Sequence, residues 1–146
     1  VSLDLEVRQA VYRRVVASGR APEAHEVAGA CGLTLDDVHR AYARLMERHL
    51  LVLEPEGSGI RMAPPFSGVP TQHRVRVNGI DYFAPCAWDA FGIIALLGSR
   101  GEMRSRCEQS LEPLELQIDS GVPDGTSWRF HVLVPARRWW DDIVYT

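Results

Sequence analysis

Cys86 and Asp89 stand three residues apart in Pro85-Cys86-Ala87-Trp88-Asp89, directly ahead of the apolar run Ala90 to Leu97. On a helix, positions i and i+3 share one face, so the thiol and the carboxyl would lie side by side. Pro85 suits the first helical position or the one just before it, which predicts that a helix begins here. A cysteine at a helix N-terminus meets unpaired amide N–H groups and the positive end of the dipole. Both favour thiolate over thiol, so the Cys86 pKa is expected below the free value of about 8.5. A thiolate is a soft metal ligand and a strong nucleophile, and a carboxyl beside it can carry a proton. Together they could bind a soft metal centre and protonate a group attached to it. The same residues also fit a plain structural reading. A cysteine in an apolar helix is most often a small buried hydrophobe, and an aspartate in the first turn complements the dipole.

The elements around the pair follow from periodicity and breakers. Leu3 to Ser18 reads as an amphipathic helix with Val7, Ala10, Val11 and Val15 inward, ended by Gly19. Ala21-Pro22 opens a second helix through Ala30. Thr34 is a candidate N-cap, and Asp37 three residues on makes a capping box with Asp in place of Glu, opening a third helix to about His49. Leu50 to Glu54 and Gly59 to Ala63 read as strands around Pro55-Glu56-Gly57-Ser58. Three helices followed by a hairpin is a winged-helix layout, expected over residues 1–63. Pro64 to Pro70 is breaker-rich and predicts a linker.

From 71 to 146 the pattern changes to a small mixed sheet carrying one main helix. His73 to Val77 and Ile80 to Phe83 are strands about an Asn78-Gly79 hairpin turn. The Cys86 helix follows and stops at Gly98. Arg104 to Ser110, Leu114 to Ile118 and Ser127 to Pro135 predict further strands, with Gly121 to Gly125 turning the chain between the last two. Trp139 to Thr146 reads as a short turn and the start of another strand. The fold class expected is therefore α+β.

Composition narrows the classes. The 146 residues are 46% hydrophobic and 24% charged, as in an ordinary globular protein. No apolar stretch approaches the roughly 20 residues of a membrane span, and no secretory signal is visible, although the sequence begins at Val1. All 16 basic residues are arginine and the net charge is −3, with both signs mixed in each half. That is not the electrostatic footprint of a nucleic-acid binder. Three cysteines, Cys31, Cys86 and Cys107, form no framework spacing and point to free thiols in a reducing, cytoplasmic setting.

The stretch from Val77 to Gly98 resembles the core of the organomercurial (alkylmercury) lyase family. In that family a hairpin strand runs into a Cys-Ala-x-Asp helix that ends in a Leu-Ile/Leu-Gly turn, and Cys86-Ala87-Trp88-Asp89 and Leu96-Leu97-Gly98 fit. Phe130-His131-Val132 and Trp139 to Thr146 resemble the family's last shared segment. The resemblance covers roughly residues 70–146. It implies carbon–mercury cleavage by protonolysis, giving R–H and Hg²⁺. Cys86 would be the mercury-binding thiolate, and Asp89 the proton carrier and a mercury contact. The implied ligand is a small organomercurial or another soft metal. No cofactor is implied apart from mercury itself as product or bound ligand. It also implies that the N-terminal helices pack over the catalytic core and help exclude water.

The family pattern has a second catalytic cysteine just beyond the segment matching Trp139 to Thr146. The sequence stops at Thr146 inside a strand pattern with no terminating signal, so the expectation is that the C-terminus is incomplete. Cys107 reads as a buried structural thiol and Cys31 as core, which leaves a third ligand unassigned. His131 reads as a half-buried strand histidine, and Trp139-Trp140 as sheet packing. A winged helix suggests a rival function, a regulator that senses a soft metal through Cys86. Binding to nucleic acid is expected to be weak, because Asp36 and Asp37 open the would-be recognition helix and Glu54 and Glu56 flank the wing tip. Arg40, Arg44 and Arg48 form a basic stripe of the kind usually found on a solvated helix face. A non-catalytic metal-binding homologue is the other alternative. The oligomeric state is not legible.

Overall fold

The computed structural model describes residues 2–57, 59–124 and 127–145. Ser58, Gly125 and Thr146, which belong to the expected turns and last segment, lie outside the described residues.

Helix α1 spans Leu3–Ser18, with Ser2 as N-cap, and buries the expected stripe of Val7, Ala10, Val11 and Val15. Gly19 ends it in the left-handed conformation at φ 74°, its N–H donating to the Val15 carbonyl. Helix α2, Ala24–Cys31, starts later than Ala21-Pro22 suggested because its box is built by Glu23 and Glu26. Helix α3, Leu35–Glu47, opens on the Thr34–Asp37 capping box. The Asp37 N–H donates to the Thr34 hydroxyl at 3.1 Å, and the Asp37 carboxylate accepts from the Thr34 N–H at 3.3 Å.

Strands β1 (Val52–Leu53), β2 (Ile60–Ala63) and β3 (Phe66–Ser67) form a small antiparallel sheet in that order. The stretch expected as a linker thus contributes β3, and Phe66 is only 1% exposed. Its ring lies between Tyr12 and Tyr82, at centroid separations of 6.3 and 5.5 Å. Burying such a ring stabilises by about 1.5–3 kcal/mol.

The second sheet runs β5-β4-β6-β7-β8, and every pairing in it is antiparallel. Its strands are β4 (His73–Val77), β5 (Ile80–Ala84), β6 (Gly101–Arg106), β7 (Pro113–Asp119) and β8 (Val122–Pro123). Asn78 and Gly79 close the β4–β5 hairpin with φ of 51° and 80°, the doubly positive pair that a two-residue loop of matching twist requires. Helix α4, Ala87–Leu97, connects β5 to β6 and lies against the sheet. Val75, Val77, Tyr82, Met103, Leu116 and Ile118 are buried in one cluster with its Ala90, Ile93 and Ile94. The alternate residues Arg74, Arg76, Arg104 and Glu115 are exposed. The fold is α+β: helices first, then an antiparallel sheet carrying one main helix.

The two sheets do not merge, but one apolar core continues through both halves. The Tyr82 hydroxyl donates to the Val16 carbonyl at 2.7 Å, and the Tyr12 hydroxyl to the Pro64 carbonyl at 2.8 Å. Gly19 fits against the Asp81 carbonyl where a Cβ would collide.

Two strand expectations fail. Ser127 to Pro135 forms no strand among the described residues, and the last segment forms a 3-10 helix over Ala136–Asp141 instead of a turn and strand. Alternating apolar residues make a strand only where a neighbour supplies a ladder. Here the edge of β7 is taken by the two-residue β8, and no pairing reaches Ser127 to Pro135 among the described residues. Its apolar side chains remain open, with Phe130 46% and Leu133 79% exposed. Ring contacts fasten it: Phe130 to Trp88 at 5.7 Å, and Trp140 stacked on His49 at 4.1 Å. His131 is accordingly exposed rather than half-buried.

Candidate active site

Pro85 does not enter the helix. It stands just outside the N-cap, where it keeps Ala84 in the extended conformation that ends β5. Cys86 is the N-cap itself, extended at φ −147° and ψ 175°, with its carbonyl accepting from the Ala90 N–H at 3.1 Å. Asp89 falls in the first turn. The Cys86 thiol donates to Asp89 Oδ2 at 3.4 Å, so the two residues are brought together as their spacing suggested. Both side chains are partly buried. Ala90 and Ile93, four residues on from each, are fully buried against the sheet. Pro65, from the turn between β2 and β3, packs against Gly92 of the same helix.

The electrostatics differ from the expectation. Burial pushes the Cys86 thiol up to about 11, and the Asp89 carboxylate adds to the rise. The amides of Trp88 and Asp89 pull the other way, although neither closes a capping hydrogen bond on the sulfur. Helix-terminus stabilisation is therefore present but smaller than desolvation. Asp89 is also raised, again by burial first, with the thiol's hydrogen bond opposing. The resting pair is a thiol that keeps its proton beside a carboxyl made more basic than usual. The arrangement can take a soft cation on sulfur, pass the displaced proton across 3.4 Å, and return it.

The other cysteines are placed elsewhere. Cys107 is not a buried structural thiol. It opens the tight turn after β6, partly exposed, where the Ser110 hydroxyl first, and then the Ser110 and Gln109 N–H groups, hold its pKa down, the Ser110 N–H lying 3.5 Å from the sulfur. Cys31 ends α2, packed against the helical core, with its pKa raised by burial. Among the described residues no group of three or more His, Cys, Asp or Glu side chains is arranged to hold a metal ion. Among the described residues the thiol and carboxyl are the pair of Cys and Asp donors brought together at this site.

One polar pair escaped the sequence reading. His73 is 8% exposed, and its Nδ1 lies 2.7 Å from the Ser105 hydroxyl. His73 pairs with Ala84, two residues before Cys86, so this pair lies at the end of the sheet from which α4 departs. The alternation His73-Arg74-Val75-Arg76-Val77 carried the signal, because it puts the histidine on the same face as the two inward valines.

The basic stripe of α3 is largely engaged. Arg44 forks onto Asp4 at 2.6–3.1 Å and Arg40 bonds Asp37 at 2.8 Å. A depression of about 330 Å³ lies on the outer face of the second sheet, lined by Arg74, Arg76, Asp81, Glu102 and Arg104. Its charges are of both signs, and it contains neither Cys86 nor Asp89. No helix among the described residues is long and apolar enough to cross a membrane.

Helices followed by an antiparallel sheet, with a helix capped by a thiol that bonds a carboxyl in its first turn, define an α+β protein with a thiol–carboxyl pair at the head of its main helix. Comparison with known proteins gives the family. The alkylmercury lyase (MerB) family matches residues 66–146, more than half of the chain, and the chain belongs to that family. A solved structure described as the mercury-bound form of MerB2 shares the fold, with a TM-score of 0.64 at 22% identity. The match covers 84% of this chain and 60% of that one, so the chain spans about three-fifths of that relative's length. No curated protein matches the chain.

Proposed function

We propose that the chain is an organomercurial lyase in which Cys86 binds mercury and Asp89 carries the proton. The observation that carries this reading is the 3.4 Å thiol–carboxylate hydrogen bond at the head of α4, inside the segment that matches the family. R–Hg⁺ binds the Cys86 sulfur and the thiol proton passes to Asp89, leaving Cys–S–Hg–R beside a neutral carboxylic acid. Sulfur donation makes the mercury-bound carbon more basic. Asp89 then protonates that carbon, the carbon–mercury bond breaks, and R–H leaves with mercury still on sulfur and Asp89 ionised again. One proton is counted throughout, and the thiol brings it. Packing of the helical half against the sheet, with Gly19 on the Asp81 carbonyl and the Tyr82 hydroxyl on the Val16 carbonyl, supports a role for residues 1–63 in keeping water from the site. The engagement of Arg40 and Arg44 with Asp37 and Asp4 favours weak binding to nucleic acid.

The test is release of methane or benzene from methyl- or phenylmercury, measured beside mercury binding. Cys86→Ser should lose tight binding, because a hydroxyl is a hard and poorly ionised donor. Asp89→Ala should bind mercury and release no hydrocarbon. Full turnover by Cys86→Ser would end this reading. Binding without turnover in the unaltered chain would favour a non-catalytic metal-binding homologue.

A further inference from the structure

The outer face of the second sheet sets two arginines against each other. Arg74 of β4 and Arg104 of β6 stand directly opposite in the antiparallel register, and both are exposed. Like charges in that relation destabilise a sheet. Their neighbours offset this only in part. Glu115, opposite Arg104 on β7, brings its carboxylate 3.6 Å from that guanidinium. Both groups are mostly exposed, so the pair is weak and can yield to a competing anion. The Arg74 guanidinium lies over the Phe83 ring, 5.5 Å from its centroid, and makes no ion pair among the described residues. Arg106 makes none either, and its partner across the strands is Pro113. These three arginines line one depression of about 340 Å³, together with Thr71, Gln72 and Ser105. No carboxylate lines it, in contrast to the neighbouring depression that contains Asp81 and Glu102. Glu108 accepts from the Gln72 amide and stands outside the lining, exposed to solvent. Two of the hydroxyl residues are held from behind. Ser105 Oγ lies 2.7 Å from Nδ1 of the buried His73, and the Thr71 hydroxyl donates to the Ala84 carbonyl at 2.7 Å.

We propose that this depression binds a doubly charged oxyanion of the phosphate class, as free phosphate or as a phosphate monoester, between Arg74, Arg104 and Arg106. A guanidinium presents a planar fork of N–H donors that matches the oxygens of such a group. A dianion has the charge and the oxygens to engage more than one fork at once, whereas a carboxylate fills only one. Its arrival relieves the repulsion between Arg74 and Arg104, which the sheet otherwise carries uncompensated at Arg74. Neither Cys86 nor Asp89 lines the depression, so the proposal stands independently of the lyase reading.

The test titrates the full chain with inorganic phosphate, phenyl phosphate and acetate at one constant ionic strength, read by calorimetry. Both phosphate compounds should bind saturably at one site, and acetate should bind more weakly. Tighter binding of phenyl phosphate than of inorganic phosphate would assign the site to a monoester, and the opposite order to the free ion. Arg74→Gln and Arg104→Gln should each weaken phosphate binding by about 5-fold, the upper end for an exposed ion pair. Arg76→Gln, on the same face but outside the lining, should leave it within about 2-fold. All three side chains are exposed, so the variants should fold, which far-UV circular dichroism checks. Absence of saturable binding of either phosphate compound up to about 10 mM would overturn the proposal. So would equal losses in all three variants, which would reduce the effect to net charge. A single-stranded oligonucleotide that binds more tightly than phosphate through the same arginines would assign the face to nucleic acid, and would overturn it as well.

Discussion

Replacing Asp89 by Asn separates the two effects that set the Cys86 thiol. Burial is the larger cause of its rise from 9.0 to about 11, and the Asp89 carboxylate contributes by charge and by accepting the thiol's hydrogen bond. Two units mean that near neutral pH the thiolate is about 100-fold scarcer than for an ordinary thiol. Iodoacetamide alkylates the thiolate, so its rate against pH, resolved by mass spectrometry of each cysteine peptide, reads the pKa directly. Cys107 and Cys31 are internal controls. Cys107, held down by its turn, should react fastest, and Cys31, raised by burial, should be slowed. Cys86 should be slowest of the three. Asp89→Asn removes the charge and keeps the burial, so Cys86 should speed up yet remain slower than Cys107. A Cys86 midpoint at or below the free value of about 8.5 in the unaltered chain would refute the reasoning. Helix-terminus stabilisation would then outweigh desolvation. A fall to that value in Asp89→Asn would show that the carboxylate, and not burial, is the main cause.

Three further outcomes are expected. The folded pKa of Asp89 is raised above 3.8, so its stabilising contribution is full below that value and is lost as pH rises through the folded pKa. Asp89→Asn should therefore raise the thermal midpoint at pH 7 and not at pH 3, which scanning calorimetry would show. His73 is lowered by burial against a smaller opposing effect of Glu108, so the stability it supports is present above about 6.5 and is lost as pH falls through its folded pKa. Urea unfolding of His73→Gln should show a flatter loss between pH 6.5 and 5 than the unaltered chain, and an identical slope would count against it. Gly19→Ala places a Cβ against the Asp81 carbonyl at a positive φ, and should cost more than about 1 kcal/mol in urea unfolding.

Local signals were legible because each is decided within a few residues. The Thr34–Asp37 box, the Gly19 stop, the Asn78-Gly79 turn and the three-residue spacing of Cys86 and Asp89 all form as read. Partner-dependent features were not. Ser127 to Pro135 has strand alternation but no ladder to join, and Phe66 sits among breakers yet is buried between two tyrosines from different halves. Cys107 was expected to be a buried structural thiol because free cysteines are commonly buried, and its strand was expected to run to Ser110. β6 instead ends at Arg106 and puts Cys107 in the turn.

The misjudged titration of Cys86 has the same origin and bears on function. The helix terminus is a local property, visible in Pro85 and the apolar run, whereas desolvation depends on the strands that α4 packs against. A thiolate formed in advance would capture mercury without bringing a proton, and Asp89 would have to draw one from water for each carbon released. A thiol held protonated in contact with a raised carboxyl supplies that proton as mercury arrives and returns the site to an ionised Asp89 after cleavage. In the proposed reaction the protonated Cys86 thiol is therefore the source of the transferred proton. The cost is slower capture, because mercury must displace that proton before it can bind.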